Sequence, residues 1–298
     1  MKTIQYLTDP MYASLYWPGV IAGLAVAVMC AVLSVLVVLK RLAFIGQGIS
    51  HAAFGGIGIA AALGLTAAVG KAAPLHGIPQ FGIVLLFCLG AALLIGVISR
   101  RGGGGEAGTH ADTAIGIVLV GSMALGAILI HAARSGLSWE SFLFGSLMGA
   151  ANFDAATAWM LALVTVLVLW IGRRGLLFWA FDEPGAQAFG VNTGACRFVL
   201  LCLLALATVA SMKIAGVVLA TAMLVLPGAT ALKLSVRLWP VFAISIATSL
   251  VGIVGGIVLS FEQDWPPGPC IVGVLCAMFG VAAVVGASKD RRAVPAAT

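Results

Sequence analysis

The feature that most constrains this chain is the recurrence of uncharged, apolar stretches about 20 residues long. As an α-helix, each is long enough to cross a hydrocarbon core of about 30 Å. Only 9% of the 298 residues are charged, against roughly a quarter in a soluble globular domain. No polar stretch is long enough for a separate soluble domain. We therefore predict an all-α polytopic membrane protein with a single transmembrane domain over residues 1–298.

The apolar stretches predict nine crossings, with one alternative in the middle of the chain. Met212 and Lys213 separate two short spans, and a single broken helix is the other interpretation of this region. A further apolar piece at 141–150 is too brief to cross the bilayer alone. The predicted spans lie near residues 18–39, 42–65, 81–99, 113–132, 155–172, 195–212, 214–232, 239–260 and 268–287.

The basic residues predict an orientation. Lys and Arg concentrate in the cytoplasmic loops of membrane proteins. With the N-terminus outside and the C-terminus inside, twelve of the 16 Lys and Arg residues fall on the inner side. The net charge of +6 is therefore mostly a topology signal, and we expect no nucleic-acid partner. The inner residues are Lys40, Arg41, Arg100, Arg101, Arg173, Arg174, Arg197, Lys233, Arg237, Lys289, Arg291 and Arg292, and the outer ones are Lys2, Lys71, Arg134 and Lys213.

The sequence lacks the groups that several chemistries need. It has no Gly-x-x-x-x-Gly-Lys-Ser/Thr phosphate loop, so the chain does not bind ATP by that route. The predicted membrane interior has no Asp or Glu, the usual coupling groups of proton- or sodium-driven carriers. The six cysteines lie in or beside spans without Cys-x-x-Cys spacing, which indicates helix packing. We predict that the chain is not an enzyme.

One histidine stands in the middle of a predicted span. No Asp, Glu, Lys or Arg lies between Arg41 and Lys71, yet that segment contains His51. An ionisable group at membrane depth is costly and marks a candidate functional site. On a helix, Gln47 lies one turn before His51. The glycines that share this face are Gly48, Gly55 and Gly58.

The face with His51 has two interpretations. In the first, the neutral imidazole of His51 and the amide oxygen of Gln47 contact a metal ion in a water-filled cavity. In the second, His51 is a buried residue hydrogen-bonded to Gln47, and the glycines let another helix approach closely. A closed zinc site has four ligands, so this pair alone is an incomplete site. A symmetric dimer would add a second His51.

Four segments resemble the integral-membrane permeases of ABC importers for zinc, manganese and related metals. The match covers most of the chain, and the segments follow the family's order and roughly its spacing. They are the run from Lys40 to Ala52, like the family's second-helix signature; 141–147, like its short outer helix; 181–191, like its inner loop; and 213–231, the most specific match.

The resemblance implies the transmembrane subunit of an ATP-driven importer that works by alternating access in the bacterial cytoplasmic (inner) membrane. A separate cytoplasmic ATP-binding subunit would hydrolyse ATP, and an extracytoplasmic metal-binding protein would deliver the ion. We expect a homodimer surrounded by membrane lipid, with about nine transmembrane helices and a short outer helix in each copy. No cofactor is expected to bind permanently, because the metal is the substrate.

The resemblance also implies that the His51 position contacts the metal. Family members carry an Asp four residues earlier, where this chain has Gln47, and often a Pro where it has Gly55. The missing carboxylate weakens any preference for hard ions such as manganese, so we expect zinc. The alternatives are a manganese or iron permease and, from another class, an ATP-independent proton-coupled metal carrier. A permease for siderophores or corrinoids, or a purely structural membrane subunit, fits the sequence less well.

Two surfaces are expected to contact partners. We place the ATPase contact after Pro227, where a short amphipathic and basic helix is predicted across the inner surface, with 173–194 as a second candidate. The predicted ATPase-contact residues are Pro227, Gly228, Ala229, Lys233 and Arg237. The metal-binding protein is expected on the outer side, with candidate contacts at Glu262, Asp264 and Trp265. Roles for His76, His110 and His131 are left open.

Overall fold

The helices of this protein form one bundle of long, apolar segments. The computed structural model describes residues 9–65, 77–101, 107–133, 145 and 147–293. The helices in these ranges are α1 (Pro10–Leu39), α2 (Ala43–Ala62), α3 (Gly77–Arg101), α4 (Ala107–Ala132), α5 (Asn152–Phe181), α6 (Glu183–Ala188), α7 (Thr193–Leu234), α8 (Leu238–Gln263) and α9 (Pro267–Ala293).

The predicted class, an all-α polytopic membrane protein, is confirmed. Eight helical segments of the described chain are long and apolar enough to cross a membrane. The remaining predicted span is α2, a 20-residue helix whose hydropathy is lowered by the polar residues Gln47, Ser50 and His51. The orientation stays a prediction from the basic residues.

Helix α7 is a hairpin of two spans that meet at a glycine. A straight helix of its 42 residues would be about 63 Å long, twice the hydrocarbon core. Gly216 has φ 78° and ψ 169°, which breaks the helix. Residues 17 apart in α7 lie beside residues only four apart in α1, so the chain turns back between them. The first half reaches Ser211 beside Cys30, and the second descends to Gly228 beside Ser34. The two-span interpretation of the Met212–Lys213 region is therefore correct.

The second half of α7 corrects the prediction for Pro227. The predicted break and short surface helix are absent, because α7 continues through Pro227 to Leu234. Pro227 and Gly228 are both buried. Gly228 lies against the backbone of Ser34, where a Cβ would collide. Neighbouring helices support an interior proline in a membrane helix, since packing there offsets the lost backbone hydrogen bond.

Helix α1 forms the centre of the bundle and packs against α5, α7 and α8. Two serines of α8 donate hydrogen bonds to carbonyl oxygens of α1. Ser245 Oγ lies 2.7 Å from the Ala31 oxygen, and Ser249 Oγ lies 2.9 Å from the Ala27 oxygen. Small hydroxyl residues allow helices to approach closely and satisfy their own polar atoms in lipid. These bonds hold α8 against the middle of α1, at Ala27 and Ala31.

The predicted short outer helix falls largely outside the described residues. The part of 141–150 that the structure describes contains a single 3₁₀ turn, Leu147–Gly149. Leu147 is fully buried and packs near Gly23 of α1. Gly145, at φ 64°, lies against the backbone of Ala215 and Gly216. This segment therefore covers the turn of the α7 hairpin.

Replacing Gly216 with alanine should destabilise the protein. Its φ and ψ lie in a region almost restricted to glycine, where a side chain costs about 1–3 kcal/mol. We expect a lower midpoint of thermal unfolding for purified Gly216→Ala in detergent. The control is Gly273→Ala in α9, where an added Cβ meets nothing within 4 Å. Equal midpoints for the two variants would contradict the hairpin turn.

Candidate functional site

Helix α2 carries the histidine and lies among three other helices. It packs against α3, α4 and α7, and 13 of its 20 residues are buried. Ser50, next to His51, donates a hydrogen bond to the Gly46 carbonyl at 2.9 Å. The polar group of Ser50 is therefore satisfied within its own helix. This leaves Gln47 and His51 as the chemically distinctive side chains of α2.

The glycines on the His51 face bring helices together. A Cβ on Gly48 would lie 2.9 Å from Ile115 of α4, and one on Gly55 would lie 2.7 Å from the Phe87 ring of α3. At Gly58 the nearest atom would be the Cα of Gly126 in α4, at 2.8 Å. These distances are too short for any side chain. The close-packing role of the glycines is the one that the structure supports.

His51 and Gln47 differ in burial and do not bond each other. Gln47 is exposed, while His51 is partly exposed. The Nδ1 atom of His51 is buried and has no hydrogen-bond partner among the described residues. A buried polar atom without a partner is uncommon and calls for an explanation such as a ligand or ion. The interpretation of His51 as a residue satisfied by Gln47 therefore does not hold for Nδ1.

A single copy of the chain does not form a complete metal site. Within the described residues, no group of three or more His, Cys, Asp or Glu side chains could hold a metal ion. Among the other histidines, His131 is exposed at the end of α4. His76 and the side chain of His110 lie outside the described part of the structure. Additional donors would have to come from water, from a second copy or from residues beyond the described ranges.

The candidate outer contact residues lie in a tight turn between α8 and α9. Asp264 ends α8 with φ 56°, and its backbone N–H bonds the Ser260 carbonyl. Ser260 Oγ donates in turn to the Trp265 carbonyl at 2.6 Å. Asp264 and Trp265 are exposed and Glu262 is partly exposed. The turn is a well-defined surface, and its role in docking stays a prediction.

The residues expected to contact an ATPase do not form one surface. Pro227 and Gly228 are buried within the bundle and Ala229 is only partly exposed. Lys233, in the last turn of α7, and Arg237, just before α8, are exposed. Pro227 and Gly228 are thus enclosed by neighbouring helices in the single chain, and their role in an ATPase contact stays a prediction.

A short helix, α6, does occur in the second candidate segment, 173–194. The Asp182 carboxylate caps the start of α6 by accepting from the Gly185 N–H at 3.0 Å. At the other end, the Gly190 N–H bonds the Gln187 carbonyl and the Val191 N–H bonds the Ala186 carbonyl. Gly190 has φ 79°, so this is a Schellman motif. The capping Asp and the following glycine were the sequence signals for this helix.

Exposed aromatic side chains flank helix α6 on both sides of its buried anchor. Ala186 is fully buried, whereas Phe181 is 57% and Phe189 is 82% exposed. The rings of Phe189 and Phe178 lie 5.8 Å apart. Exposed aromatic residues beside a rigid, polar-capped helix are typical of a protein contact surface.

An ion pair joins α6 to the end of α1. Lys40 Nζ lies 2.9 Å from Glu183 Oε2 and 4.3 Å from the centre of the Trp179 ring. Partial burial of the Glu183 carboxyl opposes its ionisation, but the Lys40 ammonium and Arg197 outweigh this and lower its pKa. The pair is therefore intact at neutral pH and is lost only as the pH falls through that lowered value.

A cavity of about 340 Å³ opens beside this ion pair. Its polar lining includes Glu183, Gln187, Thr193 and Arg197, and its apolar lining comes from α3 and α7. His51 is not among the lining residues, so the cavity is separate from the histidine face.

Comparison with known proteins identifies the relatives of this architecture. Residues 12–286 match the model of the ABC 3 transport family. The manganese transport system membrane protein MntB of Synechocystis sp. is 31% identical over 95% of this chain and 87% of its own length. The chelated iron transport system membrane protein YfeD of Yersinia pestis is 30% identical over 97% of this chain and 92% of its own.

A solved structure shares the fold along most of its length. PsaBC from Streptococcus pneumoniae, in complex with Fab, superposes with a TM-score of 0.78 and 26% identity. The match covers 94% of this chain and 93% of that one.

Proposed function

Since the chain belongs to the ABC 3 transport family and is a metal-transporting permease of the bacterial inner membrane rather than an enzyme, we propose that it imports a divalent transition metal. One observation carries this proposal beyond the family. His51 lies within α2, which the sequence predicts as a span, is partly exposed, and keeps a buried Nδ1 without a partner in the described structure. An imidazole in this state is available as a transient ligand.

The proposed mechanism is alternating access. A metal-binding protein delivers the ion to the outer surface, with the turn at Glu262, Asp264 and Trp265 as its contact. ATP-driven closure of separate cytoplasmic subunits then moves helices around a path that passes His51. An incomplete ligand set suits this step, because a fully coordinated ion would be released slowly. A second copy related by a two-fold axis would supply its own His51 and Gln47.

We propose zinc as the transported ion. His51 is a borderline-soft nitrogen ligand, and Gln47 offers a neutral oxygen where a carboxylate would favour harder ions. Manganese and iron are the second candidates, because the relatives compared above are named for manganese and chelated iron. The ligand chemistry of α2 and the names of the relatives therefore favour different ions, which a direct competition experiment separates.

We propose α6, not the segment after Pro227, as the main ATPase contact. It is short, capped at both ends and exposes Phe189 beside the buried Ala186. Lys233 and Arg237 are exposed and would extend this contact with positive charge.

Replacing His51 with alanine should abolish metal uptake without preventing assembly. The ion would lose its only imidazole ligand on α2, while the helix contacts made by the glycines remain. Uptake of radioactive zinc into proteoliposomes containing the reconstituted complex measures this. The matched control, Ser50→Ala, removes a neighbouring polar group bonded only within its helix and should transport normally. Undiminished uptake by His51→Ala would remove the ligand role.

Replacing Gln47 with aspartate should raise manganese uptake relative to zinc. The added carboxylate supplies a negatively charged oxygen, which hard cations prefer. The ratio of the two ions taken up from an equimolar mixture is the measurement. Gln47→Asn shortens the side chain without adding charge and should leave the ratio closer to that of the original protein. An unchanged ratio in Gln47→Asp would show that residue 47 does not contact the ion.

Replacing Phe189 with serine should weaken the binding of the ATPase roughly tenfold, as expected for an exposed aromatic anchor at an interface. Titration of the purified ATPase against the tagged permease in detergent gives the affinity. Phe153→Ser is the control, since Phe153 is 46% exposed at the opposite end of the bundle. Equal affinities for both variants would exclude Phe189 from the contact.

A further inference from the structure

Lys40 stands between two segments with different proposed roles. Its chain position directly precedes α2, the helix of His51. Its side chain contacts Glu183 in the first turn of α6 at 2.9 Å and the ring of Trp179 at 4.3 Å. The Lys40 side chain is only 13% exposed, and Trp179 is 1% exposed. A shielded ion pair with an aromatic face is held more firmly than one in water.

The turn that contains Lys40 is itself rigid. The Arg41 N–H bonds the Val38 carbonyl, and the Leu42 N–H bonds the Val37 carbonyl at 2.8 Å. This is a Schellman motif in which Arg41 takes the left-handed position, with φ 56°. Helix α2 then starts at Ala43. No flexible linker separates the ion pair from α2.

This rigid connection reaches the metal face. His51 lies eight residues after the start of α2, about 12 Å along the helix axis. The turn and α2 therefore form one continuous hydrogen-bonded segment between Lys40 and His51. Glu183 also lines the same cavity as Arg197 of α7, so its carboxylate lies near both the end of α1 and the start of α7.

We propose that Lys40 is a positioning residue that couples movement of α6 to α2 and so to His51. This inference rests on the proposed function, in which α6 meets the ATPase and His51 meets the metal. Lys40 contacts neither partner. Its ion pair with Glu183 transmits the closure of the ATPase subunits to the helix that carries the metal ligand.

The first test measures zinc transported per ATP hydrolysed in proteoliposomes of the assembled complex. Lys40→Met removes the charge and keeps an apolar stem over Trp179. Glu183→Gln removes the partner charge with little change in shape, and gives a second route to the answer if Lys40→Met folds poorly. We expect both variants to hydrolyse ATP. The amount of zinc transported per ATP should fall roughly tenfold below that of the original protein, within the range usual for coupled sites.

The neighbouring residue supplies a matched control. Arg41 lies in the same turn, is exposed and forms no ion pair with the described residues. Arg41→Met therefore makes the same change of charge without touching the contact, and should keep the original ratio. Lys40→Arg preserves both the ion pair and the aromatic contact, and should restore the ratio. A residue needed only for stability would lower activity and assembly together and leave the ratio unchanged.

The second test follows α2 directly. Phe44, in its first turn, is 61% exposed, so a cysteine at this position is accessible to a maleimide probe. The background replaces Cys196, Cys202 and Cys276, the three cysteines that are not buried, with alanine. We expect ATP with vanadate to change the labelling rate of Phe44→Cys, and this change to be lost with Lys40→Met but kept with Arg41→Met.

The outcomes separate the inference from its premise. A complex that carries no zinc and binds no ATPase would overturn the proposed function and the inference with it. A complex that transports zinc, with an unchanged ratio and an unchanged labelling response in Lys40→Met and Glu183→Gln, would overturn the inference alone.

Discussion

Close contact between helices through small residues is the constraint on which the rest of this structure depends. Lipid chains are as apolar as leucine, so burial of apolar surface does not hold helices together within a bilayer. Here Gly55 and Gly58 bring α2 against α3 and α4, and Ser245 and Ser249 bond α8 to α1. These contacts fix the rotation of α2 about its axis, which determines the surroundings of His51.

The same packing separates the proposed metal face from the proposed ATPase surface. His51 lies in the middle of α2, which is mostly buried, whereas Phe189 at the end of α6 is exposed. The short turn after α1 leads directly into α2, the helix that carries His51, without a flexible linker. In a transporter, energy from ATP must reach the substrate path mechanically. The ion pair between Lys40 and Glu183 links the turn before α2 to the first turn of α6.

Much of this architecture could be predicted from hydropathy. All nine predicted spans correspond to helical segments, including both halves of α7, because the need for about 20 apolar residues is a local property. The prediction that Pro227 ends a helix is wrong, because that outcome depends on the tertiary surroundings and not on the local sequence. Proline ends helices in isolation, but here neighbouring helices enclose it and α7 continues. The segment that contains α6 is only the second candidate for the ATPase contact in the sequence analysis, although Asp182 and Gly190 are recognisable as capping residues of a helix.

By itself, the sequence determined the class of protein, the positions of the spans and the one segment with a histidine at membrane depth. These follow from composition over short windows and from a resemblance spread along the chain. Only the tertiary structure decided that Gly216 turns α7 back on itself and that the glycines beside His51 pack helices. It also brought Lys40 to Glu183, 143 residues away. Contacts of this kind depend on how helices rotate and approach in three dimensions, which no local pattern of residues records.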